Sequence, residues 1–124
     1  MLYAFLAYHA EGLIDALTPE QDAALMEALH AVHRRLLAEG HLGPAARLAA
    51  TRKARTVRPR APVLDGPFAE TKEQLLGFYV MDFPSLYDAV AAAQALSRVN
   101  PSAVYEIRPI ELFVSGVPIA GAEL

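Results

Sequence analysis

The groups in this chain that could move a proton on a small anion are an Asp at a tight turn, a His closing an apolar run, and a Tyr and two Arg in or beside extended segments. Asp65 opens the run Asp65-Gly66-Pro67-Phe68. Gly66 and Pro67 force a turn that can aim the Asp65 carboxylate away from its own strand. A carboxylate in a cleft with few waters has a raised pKa and can serve as a general acid or base. The competing reading has Asp65 capping the turn through backbone N–H groups, with Phe68 as a hydrophobic plug. His9 follows the run from Leu2 to Tyr8, at a strand end expected to open toward the cleft, and is the candidate general base beside Asp65.

Substrate contacts would come from Arg108, Tyr79 and Arg47. A guanidinium holds a carboxylate through two parallel hydrogen bonds, which suits Arg108 or Arg47 to neutralising an anionic substrate. Arg108 shares a strand face with Glu106 by the period of two, opposite Tyr105 and Ile107, so an ion pair with Glu106 is the alternative. Tyr79 alternates with Phe78, and its hydroxyl could reach the cleft; the alternative is a core aromatic. His30 and His33 stand at i, i+3 without a further ligand at a recognisable spacing, so no metal site is expected, and a dimer contact or a supporting role is. His41, beside a helix end, is a favourable charge near the C-terminal dipole. Glu70, Lys72 and Glu73 form a solvated, mutually neutralising surface.

Composition narrows the chemistry further. The chain has 124 residues and no Cys, which excludes disulfides, thiol nucleophiles and Cys-ligated metal clusters. No glycine pattern for nucleotides is present, so proton chemistry without a cofactor is favoured over hydride chemistry. A single domain over residues 1–124 is expected from the length. No apolar run approaches the roughly 20 residues of a membrane span, and the apolar start lacks the basic flank and length of a signal peptide, so a cytoplasmic location is expected. The net charge of -3 argues against bulk nucleic-acid binding. Even so, residues Gly40 to Leu64 hold six cations (Arg47, Arg52, Lys53, Arg55, Arg58, Arg60) and no acid. Without interleaved aromatics this stretch makes a poor nucleic-acid contact.

The elements that must position these groups follow from pattern. Leu2 to Tyr8 reads as a central strand. Thr18-Pro19-Glu20-Gln21 reads as a helix start with a capping box and Pro at the first position, and Gly40 as its stop. Leu25, Leu29, Val32 and Leu36 form the core stripe of that helix. A second stripe, Met26, His30, His33 and Leu37, lies about 100° around it and should meet something other than bulk water. Two extended segments are expected over Leu42 to Leu48 and Lys53 to Arg58, and a strand over Leu75 to Asp82. A second helix capped by Ser85 should run to about Ser97 and end at Asn100-Pro101, its Leu86, Ala89, Val90, Ala93 and Leu96 facing the core. A last strand is expected over Ala103 to Phe113, followed by a tail whose Val114, Val117 and Ile119 pack on a neighbour. The order is an α+β, ferredoxin-like plan with one hairpin elaborated. Both helices would cover one sheet face, and the bare apolar face calls for a second copy, hence a homodimer.

The run from Asp65 to Glu73, followed by Gly77-Phe78-Tyr79 and by the ending Val104-Tyr105-Glu106-Ile107-Arg108-Pro109, resembles the DGPF branch of the YCII-related family. With the strand order, the resemblance covers most of the chain. It implies a dimeric α/β barrel of ferredoxin-like protomers. Some YCII-like proteins act as lyases or dehydrochlorinases on small aromatic acids, and a His-Asp pair is proposed as the catalytic unit of that branch; His30 and His33 do not match its spacing. Genes of the family often accompany extracytoplasmic-function sigma factors, which implies a transcription-linked protein partner. Two readings result. One is a small lyase, isomerase or dehalogenase moving a proton on a compact anion, with Asp65 and His9 as acid and base. The other is a non-catalytic dimeric module that binds a small ligand or a regulatory protein.

Overall fold

Thr18 shows how locally the first helix is specified. Its hydroxyl accepts from Gln21 N at 3.1 Å while the Gln21 side chain accepts from Thr18 N at 2.9 Å, so the expected capping box is present and Pro19 takes the first helical position. The computed structural model describes residues 1–10, 12–69 and 71–119. Its elements are β1 (Leu2–Ala10), α1 (Pro19–Ala38), β2 (Leu42–Arg47), a 3₁₀ turn (Thr51–Lys53), β3 (Arg55–Thr56), β4 (Leu64–Asp65), β5 (Glu73–Asp82), α2 (Leu86–Val99) and β6 (Val104–Pro109). Helix α1 stops where Gly40 takes a φ of +81°, a left-handed conformation that favours glycine.

Four strands form one antiparallel sheet in the order β2-β5-β1-β6. This mixed α+β topology, with β1 central as expected, is compatible with the ferredoxin-like plan. The short β3 and β4 pair separately, Arg55 opposite Asp65 and Thr56 opposite Leu64. Strand β3 is all that remains of the longer segment expected over Lys53 to Arg58, because the 3₁₀ turn consumes its start and Pro59 follows its end, and β4 is a strand the sequence reading did not anticipate.

The register sorts the sheet into two faces. On one, Tyr3, Phe5, Ala7 and His9 of β1 are buried, and they stand beside Met81, Tyr79 and Gly77 of β5 and beside Ile107 and Tyr105 of β6. Leu29, Val32 and Leu36 of α1 and Ala89, Ala92, Ala93, Ala95 and Leu96 of α2 pack on this face, with Leu25 partly buried. On the other, Leu6 stands between Phe78 and Glu106, Ala4 between Val80 and Arg108, and Tyr8 between Leu75 and Val104.

Three expectations need correction. Helix α2 does not face the core with Leu86 and Val90, which are exposed. Its alanine face turns inward instead, and Leu86 and Val90 stand at the rim of that stripe. Strand β6 ends at Pro109 rather than Phe113: after Ile110 N donates to Leu2 O, β1 has no further residue to pair. Phe68 is no plug, being 71% exposed, and the Arg58 guanidinium lies 4.7 Å from its ring centroid. In the tail, Val114, Val117 and Ile119 are exposed in the single chain. No helix of the described residues is long and apolar enough to cross a membrane.

Candidate functional site

Gly77 and Ala7 leave a gap on the helix-facing side of the sheet, because neighbouring positions on β5 and β1 there carry no side chain and a methyl. Gly77 is required by its neighbour: a Cβ on it would stand 2.9 Å from Ala46 O. Above this floor, Leu25, Met26 and Leu29 of α1 form a roof, and the space between is a cavity of about 360 Å³. That volume falls within the usual range for small-molecule sites, about 300 to 1,000 Å³. Three polar side chains reach it: His33 from α1, Tyr79 from β5 and Arg47 from β2.

These groups are placed by register. Arg47 stands opposite Gly77 and Ala45 opposite Tyr79, so Arg47 and Tyr79 share the helix-facing side of adjacent strands. His33 Nε2 and Tyr79 Oη are 2.7 Å apart, and the rings meet edge to face with centroids at 5.3 Å. Burial pushes the Tyr79 phenol far above its ordinary range, with Tyr105 adding to the effect. His33 is shifted the other way, lowered from 6.5 first by burial and then by neighbouring His30. Both members are therefore neutral at pH 7. In the Nδ1–H tautomer of His33 the phenol donates to Nε2; in the other tautomer the imidazole donates to the phenol oxygen. Arg47, half exposed, is held by Asp22 in the first turn of α1 at 3.1 Å.

The residues singled out in the sequence fall in several places. Tyr79 and Arg47 come together in this cavity. His9 lies on the same sheet face two residues beyond Ala7, is buried, and has Ser102 Oγ at 3.5 Å from Nδ1. Burial, then the Arg47 charge, lowers its pKa from 6.5. Asp65 sits on the separate two-stranded ribbon with an exposed carboxylate 3.2 Å from Arg55 Nε. That contact, rather than the backbone capping weighed for it, is the one its carboxylate makes among the described residues, while Gly66 closes the turn at a φ of +94°. Arg108 is on the opposite sheet face, 3.8 Å from Glu106, as the ion-pair alternative anticipates. The sheet thus separates Arg108 from Tyr79 within one chain.

The group not chosen from sequence is His33. Its signal was the second helical stripe, since Met26 and His33 both line the cavity, whereas Leu37 on that stripe is exposed. Among the described residues no group of three or more His, Cys, Asp or Glu side chains could hold a metal. His41 makes more than the dipole contact expected of it. Nδ1 lies 2.8 Å from Asp82 O, and because a carbonyl only accepts, Nδ1 carries the proton; the ring stacks on Phe83 at 4.3 Å.

An antiparallel α+β chain with a largely apolar cleft that three polar side chains enter defines the class of protein. Residues 1–114 match the YCII-related domain. The chain is also 49% identical over 120 residues to an uncharacterized protein of Rhizobium meliloti (strain 1021), covering 94% of this chain and 97% of that protein. The chain therefore belongs to the YCII-related family.

Proposed function

We propose that the cleft between α1 and the sheet binds a small organic anion and that His33 moves a proton on it. The observation that carries this reading is the His33–Tyr79 contact of 2.7 Å inside a cavity whose wall includes Arg47. A neutral imidazole has the lone pair a general base needs, and Arg47 can hold a substrate carboxylate through its fork of N–H donors. Removing a proton from carbon beside that carboxylate leaves an electron pair that is reprotonated elsewhere or expels a leaving group. This is isomerase- or lyase-type chemistry. His9 is a second titratable group on the same face, close enough to feel the Arg47 charge. The Asp65-to-Phe68 motif supports assignment to the DGPF branch, and the uncovered sheet face supports a homodimer.

The test is deuterium incorporation from heavy water into small unsaturated carboxylic acids, read by mass spectrometry. The expected result is incorporation by the wild-type chain that falls about 100-fold or more in His33→Gln, the size associated with losing a general base. Binding of carboxylates with no incorporation in any of them would reduce the cleft to a ligand site. No binding at all would overturn the assignment of the cleft.

A further inference from the structure

Arg47 lines two spaces. One is the cleft beneath α1; the other is a recess of about 170 Å³, and Leu76 also lines both. Arg52, Gln74 and Asp15, the acid that Arg52 meets, line this recess. Gln74 is buried, and its Nε2 donates to Thr71 O at 2.8 Å. Among the described residues, Arg47 and Arg52 each meet one Asp at a single point: Nη2 of Arg47 on Asp22 at 3.1 Å, and Nη1 of Arg52 on Asp15 at 3.2 Å. A guanidinium has five N–H donors in a planar fork, so one such contact leaves donors for a bidentate carboxylate. Asp15 is exposed and Asp22 half-buried, and single-point ion pairs open to solvent are weak competitors.

Resting on the reading of the α1 cleft as an anion site, we infer that its ligand is a dianion: one carboxylate on Arg47 and a second, in the recess, on Arg52. The recess is too small for a separate ligand of ordinary size, since small-molecule sites begin at about 300 Å³, but it suits the end of a ligand that enters from the neighbouring cleft. Of the six cations between Gly40 and Leu64, Arg47, Arg52 and Arg55 pair with aspartates from outside that stretch. Lys53, Arg58 and Arg60 make no ion pair among the described residues, so the segment keeps a positive excess that favours a second negative charge.

The probes are succinate, glutarate and adipate, each compared by calorimetry at pH 7 with the monocarboxylate of equal carbon number: butyrate, pentanoate and hexanoate. At least one dicarboxylate should bind about tenfold or more tightly than its partner, a factor appropriate to one added charge-assisted contact. Arg52→Gln should remove that preference while leaving monocarboxylate affinity unchanged, whereas Arg47→Gln should weaken both kinds. Arg58→Gln, on the same cationic segment but outside the recess, should leave the preference intact. Monocarboxylates binding as tightly as every dicarboxylate would overturn the inference and spare the anion cleft. Equal loss of preference in Arg58→Gln would overturn it too, by showing a general field. Failure of both kinds of acid to bind would overturn the cleft assignment and the dianion with it.

Discussion

At the scale of single residues, the unusual feature is two histidines kept on the neutral side of their titration by burial. His33 meets Tyr79 and the His30 ring; His9 meets Ser102 and the field of Arg47. Both have a folded pKa lowered from 6.5, so between that lowered value and 6.5 the unfolded chain binds more protons than the folded one. Stability then rises with pH across that window: the contribution is present above pH 6.5 and is lost as pH falls through the folded pKa. Urea unfolding at a series of pH values should therefore show a midpoint that drops from about pH 7 toward pH 5, and His33→Gln should flatten the slope. A slope unchanged in that variant would mean His33 titrates as freely folded as unfolded. Catalysis should follow the same sign, with any turnover held near neutrality and lost on acidification as the base protonates. Residue type alone made Tyr79 and Arg47 visible as candidates. What it withheld was the side of the sheet each occupies, which separates Arg108 from Tyr79, and the helix neighbour that puts His33 rather than Asp65 beside Tyr79.

At the scale of elements, legibility followed how locally each boundary is encoded. The start of α1 is written in four consecutive residues, and Thr18, Pro19 and Gln21 perform as their types require. Ser85 likewise accepts from Asp88 N at 3.2 Å to begin α2. Strand ends were less legible because they depend on a partner distant in sequence: β6 stops where β1 runs out, and β5 begins two residues before the expected Leu75. On α2 the inward Ala89, Ala93 and Leu96 were legible, whereas Ala92 and Ala95 were not, since packing on the sheet, not the size of Leu86 or Val90, decides the orientation of the helix. Strand β2 matters most for the site because it delivers Arg47. Its register shifts between Leu42 and Ala45, around Gly43, where an added Cβ would stand 2.5 Å from Val80 O. That neighbour is backbone and cannot rotate away, so Gly43→Ala must displace β2 from β5. The expected outcome is a loss of about 1 to 3 kcal/mol, the usual cost of overpacking, together with weakened carboxylate binding through Arg47. Unaltered stability and binding would show that β2 can shift without moving its guanidinium.

At the scale of the whole molecule, the decisive asymmetry is between the two faces of the sheet. One is covered by α1 and α2; the other carries Leu6, Tyr8, Phe78 and Val80, each only half-buried, with Val104 exposed beside them. An antiparallel sheet can leave one face in water when that face is polar, but here Glu106 and Arg108 are the charged exceptions in an apolar surface. Contiguous exposed apolar patches are commonly association surfaces, which supports the proposed homodimer. A second copy across a two-fold axis would cover it with the same patch, because such an interface is self-complementary. Light scattering at micromolar concentration should return twice the chain mass of 13.4 kDa. Leu6→Glu, which sets a carboxylate between Phe78 and Glu106, should shift that mass to the monomer by burying an unpaired charge beside a like one. His33→Gln lies on the covered face and should remain dimeric, so loss of assembly in both variants would indicate unfolding instead. A monomer mass for the wild-type chain would remove the case for assembly. The α1 cleft would keep its standing, since His33, Tyr79 and Arg47 all come from one chain on the face opposite that patch.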